Sequence, residues 1–208
     1  MRFILFVEGY TEREAVGPFL KRWLDPQLDQ PVGVQVVRFN GWRHLVDDIT
    51  IRARTHLDGP KGGEVIAAVG LLDLYGPDFY PHDWSCAEER RLWAVKEIET
   101  KVSHPRFRMF FAVHEIEAWI LSQPESLPHA VREALPSKVN QPESIDFNEP
   151  PAKLLDRLYE THTGRSYKKR TYGRNLIDRL NPAVAYQRCP HLAEMLDYML
   201  AAARQAGH

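Results

Sequence analysis

Short apolar runs alternate with amphipathic segments in the first part of the chain. The runs that predict buried strands lie at residues 2–7, 32–39, 64–72 and 107–113. The segments that predict helices lie at residues 12–23, 42–57 and 86–102. Alternation of this kind is typical of a mostly parallel sheet, because parallel strands need long, usually helical, crossover connections. We therefore expect an α/β fold with a four-stranded, Rossmann-like sheet flanked by helices.

The residue composition and the pattern of predicted elements change after residue 121. Prolines punctuate this part at positions 124, 128, 136, 142, 150 and 151, and no further strand-like run follows. Amphipathic pieces at residues 151–158, 173–180 and 191–204 predict helices. We predict a boundary near residue 124, with an α/β domain at 1–123 and a mainly helical extension at 124–208 packed on it.

Composition narrows the class of protein. The 208 residues are 44% hydrophobic and carry a formal net charge of −1, which gives no case for strong nonspecific attraction to nucleic acid. No apolar stretch is long enough for a membrane span, and no signal peptide is visible, so a cytoplasmic protein without membrane contact is expected. Cys86 and Cys189 stand far apart and indicate neither a disulfide framework nor a thiolate zinc site.

Acidic residues follow three of the four predicted strands. Glu8 comes after the first, Asp73 after the third, and Glu115 and Glu117 after the fourth. Because parallel strands end at one edge of the sheet, these carboxylates should converge and offer the oxygen ligands that Mg²⁺ or Mn²⁺ prefers. Without a cation, their mutual repulsion would raise some of their pKa values. The alternative is that the acids simply face water at the strand ends.

The first strand-to-helix junction has its own pattern. Gly9 lets the backbone turn without a Cβ penalty, so that Glu8 points into the crevice, and Thr11 is placed to cap the following helix. His114 borders the later carboxylates and is expected either to orient one of them or to be structural.

A basic segment lies in the predicted extension. Residues 165–174 hold five positive charges and no acid, with Tyr167 and Tyr172 between them. Cationic side chains can neutralise phosphates while a tyrosine stacks on a base, as in single-strand binding proteins, although a solvated loop is the usual fate of such a run. Lys138 is a weaker candidate for the same anion path.

Several motifs together resemble a known family. They are Glu8-Gly9-Tyr10-Thr11-Glu12, Leu72-Asp73-Leu74-Tyr75-Gly76 with Asp78-Phe79, His114-Glu115-Ile116-Glu117-Ala118-Trp119, Pro136-Ser137-Lys138 and Cys189-Pro190-His191-Leu192. The first motif, followed by Asp73, resembles the Toprim domain of topoisomerases, primases and OLD-family nucleases. The other motifs, in their order and spacing, are similar to those of a group of bacterial Toprim-like proteins often encoded beside ATPases. The resemblance implies that Glu8 is a general acid or base and that Asp73 belongs to a Mg²⁺-binding motif.

One position departs from the Toprim pattern. Tyr75 stands where a Toprim enzyme has its second aspartate, and a tyrosine is a poor Mg²⁺ ligand because its phenol stays protonated near neutral pH. Asp78 or the Glu115/Glu117 pair is expected to supply the missing charge. We favour Glu117, because on a helical start it and Glu115 would point to different sides and only one of them need face the crevice.

These observations lead to one main hypothesis and two alternatives. The main one is Mg²⁺- or Mn²⁺-dependent cleavage of nucleic acid, DNA more readily than RNA, in an anti-phage system with an ATPase partner as the resemblance implies. The first alternative is a non-catalytic Toprim-like scaffold that docks on the ATPase, and the second is a hydrolase of small phosphate esters. A homodimer is compatible with each.

The residues expected at the site fall into three sets. The predicted catalytic residues are Glu8, Glu12 and Asp73; the predicted metal ligands are Glu8, Asp73, Asp78, Glu115 and Glu117; and the predicted nucleic-acid-binding residues are Lys138, Lys168, Lys169, Arg170 and Arg174.

Overall fold

The computed structural model describes residues 1–81, 86–145 and 149–208. Its strands are β1 (Arg2–Val7), β2 (Gly33–Arg38), β3 (Val65–Asp73) and β4 (Phe107–Ala112). Its α-helices are α1 (Tyr10–Leu24), α2 (Trp42–Leu57), α3 (Ala87–Val102), α4 (Glu117–Leu121), α5 (His129–Glu133), α6 (Pro151–Thr163), α7 (Arg174–Arg179), α8 (Pro182–Arg188) and α9 (Pro190–Gln205). Short 3-10 turns lie at Asp25–Gln27, Gly62–Glu64, Pro124–Ser126, Ser137–Asn140 and Pro142–Ser144, and a π-helical turn spans Lys169–Gly173.

Within the described residues, the strands form one parallel sheet in the order β2-β1-β3-β4, which confirms the predicted α/β fold. Val7 pairs with Leu71, and Asp73 pairs with Ala112. This register brings the carboxyl ends of β1, β3 and β4 to one edge. Every residue of β3 is buried, as expected for a central strand covered on both faces, whereas the edge strand β2 is partly exposed.

Alternate residues of β1 enter two different cores. Phe3 and Leu5 pack with α1 and the C-terminal helices, while Ile4 and Phe6 pack with α2 and α3 on the other face. This separation follows from the two-residue period of a strand, whose successive side chains point to opposite faces. Each such apolar side chain contributes about 1.5–3 kcal/mol by leaving water.

Among its described residues, the chain after β4 contains helices and loops but no strand, and it packs on α1. Trp119 of α4 stacks on Phe19 of α1 with ring centroids 5.7 Å apart. Arg22 of α1 donates through Nη2 to the carbonyl oxygens of Ile177, at 2.8 Å, and Leu180, at 3.2 Å. These contacts hold α7 against α1, so the extension is fixed to the sheet; the boundary near residue 124 stays a prediction.

A partly buried carboxylate binds the N-terminal end of the last helix. Glu143 accepts hydrogen bonds from the backbone N–H groups of His191, at 2.9 Å, and Leu192, at 3.3 Å, in the first turn of α9. Those N–H groups have no partner within the helix and carry its positive dipole end. Burial nevertheless raises the pKa of Glu143 to about 7. The Cys189-Pro190-His191-Leu192 motif therefore marks a helix start. Among the described residues, no helix combines the length and apolar character that crossing a membrane requires.

Candidate functional site

Glu8 and Glu12 lie on either side of the junction between β1 and α1. Gly9 between them has extended backbone angles, φ −129° and ψ −177°, and α1 begins directly at Tyr10. A Cβ atom at Gly9 would lie 2.5 Å from Oε2 of Glu12 and would displace that carboxylate, in agreement with the expectation that glycine avoids a Cβ penalty here. The prediction that Thr11 caps the helix is wrong, because Thr11 is buried inside the first turn of α1.

Asp73 is the last residue of β3, and its carboxylate is bonded through both oxygens. Oδ1 accepts from the backbone N–H of Ile116 at 3.0 Å, which ties the end of β3 to the segment after β4. Oδ2 accepts from Nζ of Lys169 at 2.8 Å. The side chain is 5% exposed. Asp73 is therefore oriented by two parts of the chain that are distant in sequence.

Glu115 and Glu117 both approach Asp73 from the segment after β4. Oε2 of Glu115 accepts from the backbone N–H of Ala152, 2.9 Å away in the first turn of α6. Glu117, the first residue of α4, is fully buried and accepts through Oε1 from the hydroxyl of Tyr167 at 3.3 Å. The expectation that the two glutamates point to different sides is wrong, since oxygens of both lie within 4.8 Å of an Asp73 oxygen.

These carboxylates form two overlapping groups. One contains Glu8, Glu12 and Asp73, the other contains Asp73, Glu115 and Glu117, and each group offers oxygens within 4.8 Å of one another. Asp73 belongs to both. An all-oxygen donor set of this size is the kind that holds hard divalent cations. We call the five residues together the carboxylate cluster; it could bind a metal ion.

Lys169 places a positive charge inside the carboxylate cluster. Besides Asp73, its ammonium lies 3.2 Å from Oε2 of Glu117 and 3.6 Å from Oε1 of Glu12. Burial lowers the pKa of Lys169, but the surrounding carboxylates outweigh this and raise the pKa well above its usual range. The predicted contact of Lys169 with phosphate stays a prediction, since the ammonium here faces carboxylates.

The four glutamates of the cluster hold protons more tightly than free carboxyl groups do. Burial and the neighbouring charges of Asp73 and Glu12 raise the pKa of Glu8 to about 8. Burial and Asp73 likewise raise the pKa values of Glu12 and Glu115 to about 7 each. Burial also raises the pKa of Glu117. Near neutral pH and without a divalent cation, some of these glutamates are therefore protonated. The single positive charge of Lys169 does not neutralise the carboxylates of the whole cluster.

The structure places the remaining predicted metal ligand, Asp78, outside the cluster. Its side chain is 69% exposed and accepts from Arg43 at 3.1 Å, and among the described residues it belongs to neither group of carboxylates. Tyr75, at the departure from the Toprim pattern, accepts through its hydroxyl from Nζ of Lys153 at 3.0 Å. Glu115 and Glu117, and not Asp78, therefore lie beside Asp73.

The predicted nucleic-acid-binding residues lie at different places. Lys168 and Arg170 are exposed on either side of Lys169, and the guanidinium of Arg170 lies 4.6 Å from the ring centroid of Tyr10 beside the cluster. Arg174 is exposed and pairs with Glu14 at 3.7 Å and with Asp178 at 3.8 Å. Lys138 is exposed in a separate 3-10 turn.

The two tyrosines of the basic segment differ. Tyr167 is 8% exposed and donates to Glu117, so the expectation that it stacks on a base is wrong; Tyr172 is partly exposed. His114 is buried, and its carbonyl oxygen accepts from the backbone N–H of Tyr75 at 2.8 Å. The sequence from Tyr75 to Trp84 is rich in proline and tyrosine and is expected to form a loop over the site, but His82, Asp83 and Trp84 lie outside the described residues.

Sequence reasoning missed the contacts that join the extension to the cluster. Tyr167 reaches Glu117 across 50 positions, and no local pattern announces this pair. The bond from Ala152 to Glu115 had a signal, because Pro150 and Pro151 mark a helix start whose free N–H groups attract a carboxylate.

Comparisons with known proteins give a family and a few similar structures. Residues 7–200 match the profile of a family described as "Domain of unknown function (DUF4276)". The chain is similar to the C-terminal region of the Burkholderia pseudomallei OLD protein, with 21% identity over 97% of this chain and 98% of that chain and a TM-score of 0.49. It is also similar to the C-terminal region of the Xanthomonas campestris pv. campestris OLD protein, with 21% identity over 95% of each chain and a TM-score of 0.40. No match was found among curated proteins.

Proposed function

The chain belongs to the family described as "Domain of unknown function (DUF4276)", a description that states no activity, and from its side chains we propose a nuclease dependent on Mg²⁺ or Mn²⁺. The observation that carries the proposal is the carboxylate cluster, in which Asp73 is shared by two groups of three acids. Structural roles do not require so many buried acids at one point, because each costs free energy to desolvate. The Toprim resemblance agrees with this choice of acids.

The donor set fits a hard divalent cation under one condition. Asp73 with Glu8 and Glu12, or Asp73 with Glu115 and Glu117, would hold the ion through carboxylate oxygens. Such an ion supplies Lewis-acid stabilisation of the negative charge that develops on a phosphate. The condition is that the Lys169 ammonium, which lies 2.8 Å from Asp73, moves away from the carboxylate oxygens that would bind the ion. Lys169 lies in a short π-helical turn and keeps 32% of its side chain exposed, so it has a route outward.

Two observations support roles for other residues in this proposal. With the ion held by Asp73, Glu115 and Glu117, Glu8 stays free to deliver a proton to a leaving oxygen, as a general acid must, and its raised pKa of about 8 in the metal-free protein suits that role. Lys168 and Arg170 are exposed beside the cluster and would neutralise the phosphates that flank the scissile bond. We extend the proposal to DNA as the substrate, and to a partner ATPase in an anti-phage system, because the Toprim resemblance implies them.

One observation favours the non-catalytic scaffold as a second candidate. Lys169 already supplies a cation to Asp73, Glu12 and Glu117, and Tyr75 takes the place of an acidic ligand. A protein that never binds metal would gain stability from this arrangement, because unpaired buried carboxylates are costly. In that case the exposed surface, and not the cluster, would be the functional part.

Metal binding and cleavage, measured on the same samples, test the proposal. The chelator-treated protein is titrated with Mn²⁺ by calorimetry and incubated with supercoiled plasmid and with a labelled single-stranded oligodeoxynucleotide. Asp73→Asn should abolish both binding and cleavage, while Asp78→Asn, which removes an exposed acid outside the cluster, should leave both intact. Glu8→Gln should keep metal binding and lose cleavage. A wild-type protein that binds no Mn²⁺ up to millimolar concentrations contradicts the nuclease and supports the scaffold.

A further inference from the structure

A cavity whose lining is distinct from the carboxylate cluster lies in the helical extension. Its volume is about 650 Å³, and its lining comes from residues 126–128 before α5, from α6, from Arg165 after α6, from the π-helical turn and from α7. None of the five clustered acids lines it. Cavities of roughly 300–1,000 Å³ are the usual size of small-molecule and cofactor sites.

Aromatic rings form part of the cavity wall. Tyr159 and Tyr172 lie in ring contact, with centroids 5.6 Å apart and planes inclined by 33°. Leu127 and Leu176 add apolar surface beside them. Tyr159 is buried, while Tyr172 is only partly buried. An aromatic face that is open to a cavity can stack on the flat ring of a nucleobase, whatever the base.

The polar part of the lining is positively charged. Arg165 and Arg179 are exposed at the cavity, and no acidic side chain contributes to the lining. Within the described ranges neither guanidinium takes part in an ion pair, whereas the nearby Arg174 is paired with Glu14 and Asp178. Two unneutralised guanidinium groups are suited to a phosphate, which they bind through paired N–H donors.

From this combination we propose that the cavity binds one nucleotide unit. Its base lies against Tyr172, the amide of Asn175 meets the polar edge of the base, and Arg165 and Arg179 hold its phosphate. A purely apolar ligand would leave the two guanidiniums unpaired, and an inorganic anion would leave the aromatic wall unused. A nucleotide satisfies both halves of the lining.

The cavity is connected to the carboxylate cluster through the same π-helical turn. Tyr172 lies three residues after Lys169, and the ring of Tyr159 is 5.6 Å from that of Tyr167, which donates to Glu117. A nucleotide in the cavity would therefore contact the π-helical turn that carries Lys169. This nucleotide comes from one of two sources. It is either a free nucleotide or part of a single strand whose scissile bond lies at the cluster, and the second source rests on the proposed function.

Binding in the presence of chelator tests the site without relying on the metal. The probes are a fluorescein-labelled decathymidylate, followed by anisotropy, and unlabelled deoxythymidine 5′-monophosphate as competitor. The double variant Arg165→Gln with Arg179→Gln should weaken decathymidylate binding about tenfold or more, and Tyr172→Leu by a similar factor. Arg52→Gln on α2, an exposed arginine on the other face of the sheet, is the matched control. Circular dichroism melts check that each variant is folded.

The competitor distinguishes the two sources. Displacement by the mononucleotide at concentrations near its own dissociation constant supports a free-nucleotide site, and deoxyribose 5-phosphate, which lacks the base, should compete at least about tenfold less well. Lack of displacement, together with loss of decathymidylate binding in the variants, supports a strand site. The proposal is overturned if wild-type protein binds neither probe. It is also overturned if the wild type and the folded variants bind both probes equally well.

Crosslinking locates the bound base directly. A single-stranded oligonucleotide with one 5-iodouracil, irradiated with the protein in chelator, should attach to a peptide that contains Tyr172 or Tyr159. Attachment only to peptides outside residues 126–179 overturns the cavity assignment. Crosslinking at Tyr172 in a protein that shows no Mn²⁺ binding or cleavage supports the cavity and removes the proposed nuclease, so the two proposals fail separately.

Discussion

The ammonium of Lys169 lies 2.8 Å from Oδ2 of Asp73, across 96 positions of the chain. Asp73 ends the central strand, and Lys169 begins the π-helical turn of the extension. The contact therefore joins the extension to the edge of the sheet where the carboxylates meet. It also means that the protein itself supplies part of the positive charge which a divalent cation would otherwise provide.

Replacing Lys169 by methionine should separate these two effects. Lys169→Met keeps most of the side-chain volume and removes the charge, so Mn²⁺ should bind about tenfold more tightly because it no longer competes with an ammonium. Without metal, the variant should lose about 2 kcal/mol of unfolding free energy, less than a fully buried pair because Lys169 is 32% exposed. Calorimetric titration and urea unfolding measure the two quantities.

Lys168→Met provides the control, since Lys168 is exposed and adjacent in sequence. It should change neither the Mn²⁺ affinity nor the stability by a measurable amount. Weaker Mn²⁺ binding in Lys169→Met than in wild type would show that the lysine assists the cation instead of competing with it.

The metal-free protein should become less stable as the pH rises from about 5 to about 8. Glu8 has a folded pKa of about 8, and Glu12 and Glu115 of about 7, against an ordinary value of 4.5, so the folded state holds protons that the unfolded state has released. Stability contributed by such groups is lost as the pH rises towards the folded pKa values. We expect the melting temperature to fall by about 5 °C or more.

Mn²⁺ and Gln substitutions test the origin of this pH dependence. A bound cation replaces the protons, so the increase in melting temperature on adding Mn²⁺ should be larger at pH 8 than at pH 6. Glu8→Gln with Glu12→Gln should flatten the metal-free pH profile, whereas Glu14→Gln, which removes an exposed acid of α1, should not. An unchanged slope in the double variant would place the titrating groups elsewhere.

The exposed cations beside the cluster should matter for a polymeric substrate only. Lys168→Ala with Arg170→Ala removes two charges that flank Lys169, so cleavage of an oligodeoxynucleotide at low salt should fall about tenfold and its salt dependence should become shallower. Turnover of a small phosphodiester such as bis(p-nitrophenyl) phosphate should stay within about twofold of wild type. An equal loss with both substrates would show that these cations act at the scissile phosphate and not on the flanking phosphates.

The sequence predicted the sheet well because its signals are local. The run at 64–72 is apolar throughout, and in the structure Val65–Asp73 is the central strand, buried on both faces. Helix ends were less accurate, since a cap depends on one hydrogen bond: α1 begins at Tyr10 and leaves Thr11 inside the helix. Among the helices, α2 was predicted with its observed ends, Trp42–Leu57.

The candidate site was only partly predictable, for a physical reason. Parallel strands share an edge, so the convergence of Glu8 and Asp73 followed from the order of the elements. Lys169 gave no such signal, because its position depends on how the extension folds back over the sheet. Its place among exposed basic residues at 165–174 predicted a phosphate contact, whereas the side chain turns inward to Asp73.

The Tyr167 side chain packs against Gly173, and this contact helps to hold the extension at the cluster. Gly173 has helical backbone angles, φ −57° and ψ −48°, which alanine adopts readily, but a Cβ there would lie 2.6 Å from the Tyr167 hydroxyl. The rigid, buried ring must move, and its bond to Glu117 with it. We expect Gly173→Ala to cost about 2 kcal/mol in urea unfolding. Gly63→Ala, where nothing lies within 4 Å of the added methyl, should be nearly neutral.

A double-mutant cycle decides whether this clash is the cause. Tyr167→Phe removes the hydroxyl that meets the new methyl group. In the Phe background, Gly173→Ala should therefore cost less free energy of unfolding by about 1 kcal/mol or more, which is a typical coupling between two residues in contact. Additive costs in the cycle would mean that the destabilisation comes from the backbone and not from the ring. Because the Glu117 contact moves with the ring, Gly173→Ala should also change the Mn²⁺ affinity, whereas Gly63→Ala should not.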